Sequence, residues 1–247
     1  MIPIKSQEEL DKMRLAGGIL ARVLNKVVLA VKPGIATQEL DLIAVDLLKK
    51  EGVKAAFKGY NGFPASTCIS VNEEIVHGIP NERGLREGDI VSIDLGVELE
   101  GYFSDACVTV AVGTISPKLK RLIDVTRKAL NEGIKKAKAG NHLFDISAAI
   151  QRYVETQGFS VVRQFVGHGV GKQLHEEPEV PNFGRPKEGP LLQNGMVLAI
   201  EPMVNMGGWE ALMTANGWTA VTKDGLASAH FEHTVAITES GPEILTK

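Results

Sequence analysis

Apolar residues recur at helical spacings from Leu10 through Met13, Leu20, Leu24 and Val27. The run is introduced by Ser6 with Glu9 three residues later, a reciprocal capping pair. The pattern predicts a helix over about residues 7–30. "TQELDLIAVDLLKKEG" predicts a second helix, Ser116-Pro117 opens a third that runs towards "KAG", and Asp145 opens a fourth that stops before Gly158. Between and after the helices, "STCISV", "DIVSIDLGV", "ACVTVAV", "VVRQFV", "MVLAIEPMV" and "FEHTVAIT" read as strands. Two helices followed by strands therefore occur twice, with no Gly/Ser-rich linker between them.

The repetition holds in register. Lys32, Gly34, Leu40, Leu47, Leu48 and Gly52 lie 106 residues before Lys138, Gly140, Ile146, Tyr153, Val154 and Gly158. Gly88, Val91, Ile93 and Asp94 lie 107 before Gly195, Leu198, Ile200 and Glu201. The chain thus reads as two related halves of a single domain over 1–247, about Met1 to Val112 and Gly113 to Lys247. An isolated carboxylate in an apolar strand has a carboxylate counterpart in the other half.

Alternation sharpens the meaning of those acids. In "IVSIDLGV" a period of two puts Val91, Ile93, Leu95 and Val97 on one face and Ser92, Asp94 and Gly96 on the other. In "MVLAIEPM", Leu198 and Ile200 share the bulky face while Val197, Ala199 and Glu201 share the other. Each acid sits beside small residues that leave space next to it. Asp105 before "ACVTV" and Glu232 before "HTVAI" add one more acid to each half. Four carboxylates brought together away from water are costly unless positive charge joins them. Two divalent cations would balance them, and oxygen-rich ligation with one imidazole suits manganese, iron or cobalt better than a structural zinc. His168, in a glycine turn within "VGHGVGKQLHEEP", is placed to supply that nitrogen. The zinc-protease motif H-E-x-x-H is absent, since His175 is followed by Glu176, Glu177, Pro178 and Glu179.

Composition narrows the partners. Lys plus Arg number 27 against 30 Asp plus Glu, a formal net charge of -3 with no long single-sign run, so neither nucleic acid nor an anionic membrane is expected to bind. No apolar stretch reads as a signal peptide or membrane span, which predicts a cytoplasmic protein. Cys68 and Cys107 are the only cysteines and read as reduced packing residues.

Asp94, Asp105, His168, Glu201 and Glu232, in that order and with "GHGVG", "IEPM" and "FEHT" around the last three, resemble the five metal ligands of the methionine aminopeptidases. The resemblance runs from the first helix to "FEHTVAIT". Only 26 residues separate His175 from Glu201, and no zinc-finger extension precedes the domain, as in the short bacterial type I form. It implies the pita-bread fold, an α/β (α+β) architecture of pseudo-two-fold duplicated halves whose curved, mainly antiparallel sheet is covered by helices. It also implies a dinuclear metallo-exopeptidase that removes initiator methionine from nascent proteins when the second residue is small. Asp94 and Asp105 would then hold one metal, His168 and Glu201 the other, and Asp105 and Glu232 both. Glu201 would also shuttle a proton, His175 would hydrogen-bond the scissile carbonyl, and His77 would contact the scissile amide nitrogen or the next residue.

The positions matching the methionine pocket are Phe57, Tyr60, Phe63, Cys68, Leu174 and Trp218, an apolar wall suited to a thioether. Relatives often carry cysteine, tyrosine and phenylalanine in place of Phe57, Phe63 and Leu174. Asn72 and Ser228 match positions that hold a monovalent cation in relatives. His142, His230 and His233 match no role and read as structural or solvated. The family expectation is a monomer, with the ribosome as a transient partner. The same ligand pattern serves prolidase and Xaa-Pro aminopeptidase, which usually carry an additional N-terminal domain. A binding protein that kept the fold without catalysis would lack ligands that are all present here.

Overall fold

The computed structural model describes residues 1–247. In the first half, α1 (Gln7–Leu29) and α2 (Thr37–Glu51) precede β1 (Lys54–Ala55), β2 (Thr67–Val71), β3 (Glu74–Val76), β4 (Ile90–Leu99) and β5 (Tyr102–Ala111). In the second, α3 (Pro117–Ile134) and α4 (Leu143–Thr156) precede β6 (Ser160–Val161), β7 (Gly167–Gly169), β8 (Glu176–Val180), β9 (Val197–Ile200) and β10 (Met203–Asn205). The chain then closes with β11 (Ala211–Met213), β12 (Ala220–Thr222), β13 (Ser228–His230), β14 (His233–Thr238) and β15 (Gly241–Ile244). No helix is long and apolar enough to cross a membrane.

The caps explain where the helices start. Ser6 Oγ accepts from the Glu9 N–H at 3.3 Å, and Glu9 returns the bond to the Ser6 N–H at 2.8 Å, as the sequence predicts. Asp145 does not open α4, which starts two residues earlier. Its carboxylate accepts from the His142 N–H at 2.9 Å and so closes the first turn from inside. The helix α3 stops at Ile134, short of "KAG".

Two strand expectations need correction. Of "VVRQFV", only Val161 lies in a strand; Gln164 leaves the ladder and its amide pairs with both backbone groups of Ala211, at 2.9 and 2.7 Å. The "MVLAIEPMV" run breaks into β9 and β10 at Glu201-Pro202, where proline has no N–H for the ladder. Several strands of two to five residues, β7 and β13 among them, carry no alternation long enough to read.

All sheet pairing is antiparallel. Of four sheets, the two larger run β1-β4-β2 with β5 also on β4, and β15-β14-β9-β7-β8; the two smaller run β13-β10-β6 and β11-β12-β3. Leu20, Leu24, Leu40 and Leu48 of α1 and α2 bury Val91, Ile93, Leu95 and Val97 of β4. Leu122, Leu130, Ile146 and Ile150 of α3 and α4 bury Leu198, Ile200, Val235 and Ile237. Equivalent hydrogen bonds recur at the sequence offset. Gly34 N–H donates to Leu85 O as Gly140 N–H does to Leu192 O, and Leu85 N–H to Ile35 O as Leu192 N–H does to Asn141 O. The glycine pairs Gly34/Gly140, Gly52/Gly158 and Gly88/Gly195 all take positive φ, between 73° and 94°.

The two larger sheets meet where β5 passes β14. Thr234 Oγ1 donates to Asp105 O at 2.8 Å and accepts from Asp105 N–H at 2.9 Å, and the Glu232 N–H donates to Cys107 O at 2.9 Å. The inner faces of both sheets therefore share one centre.

The C-terminal segment is pressed against α1 at Gly17, where an added Cβ would lie 2.4 Å from Leu245 O. Gly17→Ala gains helix propensity yet should lose about 1–3 kcal/mol of stability through overpacking, read as a lower urea midpoint. An unchanged midpoint would show that the C-terminal segment moves aside freely.

Candidate metal centre and substrate pocket

Strand register gathers the acids. On the β4–β5 hairpin, Asp94 faces Cys107 and Gly96 faces Asp105, so the two aspartates are diagonal neighbours on the face away from the helices. Gly96 has no side chain for a reason: a Cβ there would come 2.7 Å from Phe57 Cε1 and 2.9 Å from Ala56 Cβ. In the other sheet His168 faces Ala199. His168 lies in the short strand β7 and not in a turn, but its glycines do permit close approach. A Cβ on Gly167 would be 2.3 Å from Ala199 O, and one on Gly169 would be 2.2 Å from Glu177 O. Glu201 occupies the break before Pro202, its carbonyl accepting from Asn182 Nδ2 at 3.0 Å, and Glu232 immediately precedes β14.

The five side chains line one cavity of about 170 Å³. Asp105, His168 and Glu232, all buried, each offer one ligand atom within 4.8 Å of the others. His168 Nε2 lies 3.7 Å from Glu201 Oε1 and 3.9 Å from Asp105 Oδ2. Its Nδ1 is 2.9 Å from Gly169 O, a pure acceptor, so Nδ1 carries the proton and Nε2 turns a lone pair to the acids. Burial, with His175 alongside, pushes the His168 pKa down to about 3, which keeps the ring neutral.

The acids shift the other way. Burial and then neighbouring carboxylates hold Asp94, Glu201 and Glu232 well above the usual carboxylate range. Burial raises Asp105 to about 7 against hydrogen bonds from Asp94 and the Ala106 backbone that lower it. Asp94 Oδ1, Asp105 Oδ1 and Glu232 Oε1 are buried without a hydrogen-bond partner. Orphaned carboxylate oxygens facing a neutral imidazole lone pair fit a divalent cation, which supplies what no side chain here does.

The same cavity is walled by Phe57, Tyr60, Phe63, Cys68, Leu174 and Trp218, with His77 and His175 at its edge. Phe63 and Trp218 meet edge to face at 5.1 Å. Cys68 faces Asp94 across β2 and β4, and burial followed by that carboxylate raises its thiol pKa, so it stays a small protonated wall residue. Cys107 is likewise free and buried. His175 Nδ1 is 2.7 Å from the Tyr60 hydroxyl, and its ring stands 4.2 Å from that of His168. His77 takes φ of 59°, rare for a residue with a Cβ, and its ring meets that of Phe165 at right angles, 5.7 Å between centroids. A second cleft, about 550 Å³, shares His77, His168, His175 and Glu201 with the first. A larger groove of about 850 Å³ against α4 contains none of these residues.

One nearby residue escaped the sequence reading. His230, read as structural or solvated, is not solvated: it is buried beside the acids, with Nε2 3.4 Å from Glu201 Oε2. The available signal was its spacing of two from Glu232, which puts both on one side of an extended chain. His142 and His233 do make structural contacts, to Gly189 O and Thr246 Oγ1, each at 2.9 Å.

The model of metallopeptidase family M24 matches residues 11–239. Methionine aminopeptidase of Clostridium perfringens is 56% identical over 246 residues, covering 100% of this chain and 99% of that one. Methionine aminopeptidase 1 of Bacillus subtilis is 54% identical over 247 residues and 100% of both chains. The crystal structure of methionine aminopeptidase from Thermotoga maritima superposes with a TM-score of 0.99 at 49% identity, covering 100% of each chain. Prolidase from Pyrococcus furiosus shares the fold at a TM-score of 0.81 and 25% identity, but this chain spans only 65% of it. With the pita-bread fold and a buried Asp/His/Glu cluster that implies a divalent metal, the chain belongs to metallopeptidase family M24 and, within it, to the type I methionine aminopeptidases of bacteria, enzymes that remove the N-terminal methionine of polypeptides.

Proposed function

We propose that the enzyme removes initiator methionine from nascent proteins whose second residue is small, using two divalent cations of manganese, ferrous iron or cobalt. Asp94 and Asp105 would hold one, His168 and Glu201 the other, and Asp105 and Glu232 both. The observation that carries this reading is the single cavity in which orphaned carboxylate oxygens and the His168 lone pair meet an aromatic and aliphatic wall. Residues 1–247 then act as one catalytic domain, as a cytosolic monomer that meets chains at the ribosome. Asn72 and Ser228 offer a place for a monovalent cation: Asn72 has φ of 56° and its carbonyl accepts the Ser228 N–H at 2.8 Å.

When bound, the metals supply Lewis acidity and lower the pKa of a water from about 15.7 towards 7, which provides a nucleophile at neutral pH. The chain's own residues do the rest. Phe57, Phe63, Cys68, Leu174 and Trp218 bury the methionine side chain and fix the scissile bond beside the acids. The Tyr60 hydroxyl, 2.7 Å from His175 Nδ1, can donate to it; in that tautomer Nε2 carries the proton and can donate to the scissile carbonyl oxygen as it gains charge. Burial lowers the His175 pKa, which keeps the ring neutral at physiological pH. His77, on the wall common to both cavities, contacts the departing amide nitrogen or the next residue, while the remaining polypeptide occupies the larger cleft. Glu201 accepts the proton released by the water and passes it towards the leaving amine.

Chelator-stripped protein with manganese, cobalt or ferrous iron restored should release methionine from Met-Gly-Met-Met and leave a peptide with an unrelated first residue and proline second uncut. Preference for the proline peptide would transfer the site to prolidase-like chemistry. Asp105→Ala and His168→Ala should each lose bound metal by elemental analysis and turnover with it; normal values in both would remove them from the ligand set. His175→Ala should retain metal while kcat falls about 10²- to 10³-fold, the cost of one oxyanion donor.

A further inference from the structure

We propose that Lys5, which lines neither of the two clefts that hold His175, is a positioning residue that holds His175 in place through Glu176. The inference rests on the reading of His175 as the oxyanion donor and extends it to the N-terminal segment.

The segment Gly171–His175 carries both Leu174 of the pocket and His175. It has little regular hydrogen bonding of its own and is wrapped around one carboxylate. Glu176 Oε1 accepts from the backbone N–H of Lys172 at 2.7 Å and of Gln173 at 3.2 Å. The other oxygen, Oε2, pairs with Lys5 Nζ at 2.5 Å, and both side chains are buried, 5% and 9% exposed. A buried pair of this kind is held by geometry, because losing either partner strands a charge away from water.

Lys5 also grips the other side of the site. Its backbone N–H donates to Gly195 O at 2.8 Å, at the turn that starts β9, the strand that runs into Glu201. Two glycines make room for it: a Cβ on Gly171 would lie 2.5 Å from Lys5 Cε, and one on Gly195 would lie 2.7 Å from Lys5 O. The surroundings are thus shaped to the lysine at both its ends. Lys5 links the loop with the imidazole to the strand with the acid, and its loss lets the ring drift from the scissile carbonyl while the acids stay in place.

A double-mutant cycle separates positioning from general stability. Metal-loaded wild type, Lys5→Met, His175→Ala and the double variant are compared on Met-Gly-Met-Met for kcat, KM and bound metal. Lys5→Met should lower kcat on the order of tenfold, with KM and metal content little changed. In the His175→Ala background the same substitution should cost nothing further. An equal loss in both backgrounds, or an unchanged kcat in Lys5→Met, would overturn the inference. If Lys5→Met does not fold, Lys5→Met with Glu176→Gln leaves no stranded charge, lacks the tether, and is read in the same cycle. Wild-type turnover by His175→Ala alone would sink the reading of His175 first, and this inference with it.

Discussion

Like charges held away from water set the terms for everything around them. Asp94, Asp105, Glu201 and Glu232 line one small cavity, and burial there drives all four towards the proton-bound form. Only a framework unable to relax can hold such a set apart from solvent. Asp94 is laddered on both sides, by β2 and β5. Asp105 and Glu232 are fixed where the sheets cross, through Thr234 and Cys107. A divalent cation converts that repulsion into attraction, so the energy stored by folding favours metal binding.

Bringing the groups this close requires the absence of side chains as much as their presence. The glycines on either side of His168 let β7 lie against Ala199 O and Glu177 O at distances no Cβ would tolerate. Gly96 does the same for Phe57, which moves the pocket wall up to the acids. The helices supply the opposing requirement on the outer faces, where large aliphatic side chains pack each sheet from behind. One strand thus serves two demands by alternation: Val91, Ile93, Leu95 and Val97 anchor β4, and Asp94 is held rigidly because they are anchored.

What was legible in the sequence follows from the length scale of each signal. Long helices and the alternating strand β4 could be read, and so could the acids, although β5 read only from Ala106 and begins at Tyr102, which puts Asp105 inside it. The duplication was legible as paired offsets, and the equivalent hydrogen bonds at Gly34 and Gly140 give those offsets a backbone cause. Strands of three residues, such as β7 and β13, offer too few positions for a period, so His168 read as a turn residue and His230 as structural or solvated. The break at Glu201-Pro202 was written in the sequence as a proline, yet its strand was read as continuous. Lys5 and Glu176 lie 171 residues apart, and no local pattern predicts a pairing that only the folded chain creates.

The histidines of "VGHGVGKQLHEEP" show how one residue type acquires two kinds of chemistry from what touches its second nitrogen. His168 Nδ1 faces a carbonyl, which can only accept, so Nε2 is left as a lone pair. His175 Nδ1 faces a phenol, which can donate, so in the proposed mechanism Nε2 keeps its proton. Their rings stand 4.2 Å apart, and burial lowers the pKa of both, so neither is easily charged beside the other. A pair of imidazolium ions there would repel each other and any metal; a neutral pair of opposite tautomers can present an electron pair to a cation and a proton to an oxyanion. In the proposed mechanism a metal-facing acceptor thus stands beside an oxyanion donor, and the sheet and loop that carry them settle which histidine is which.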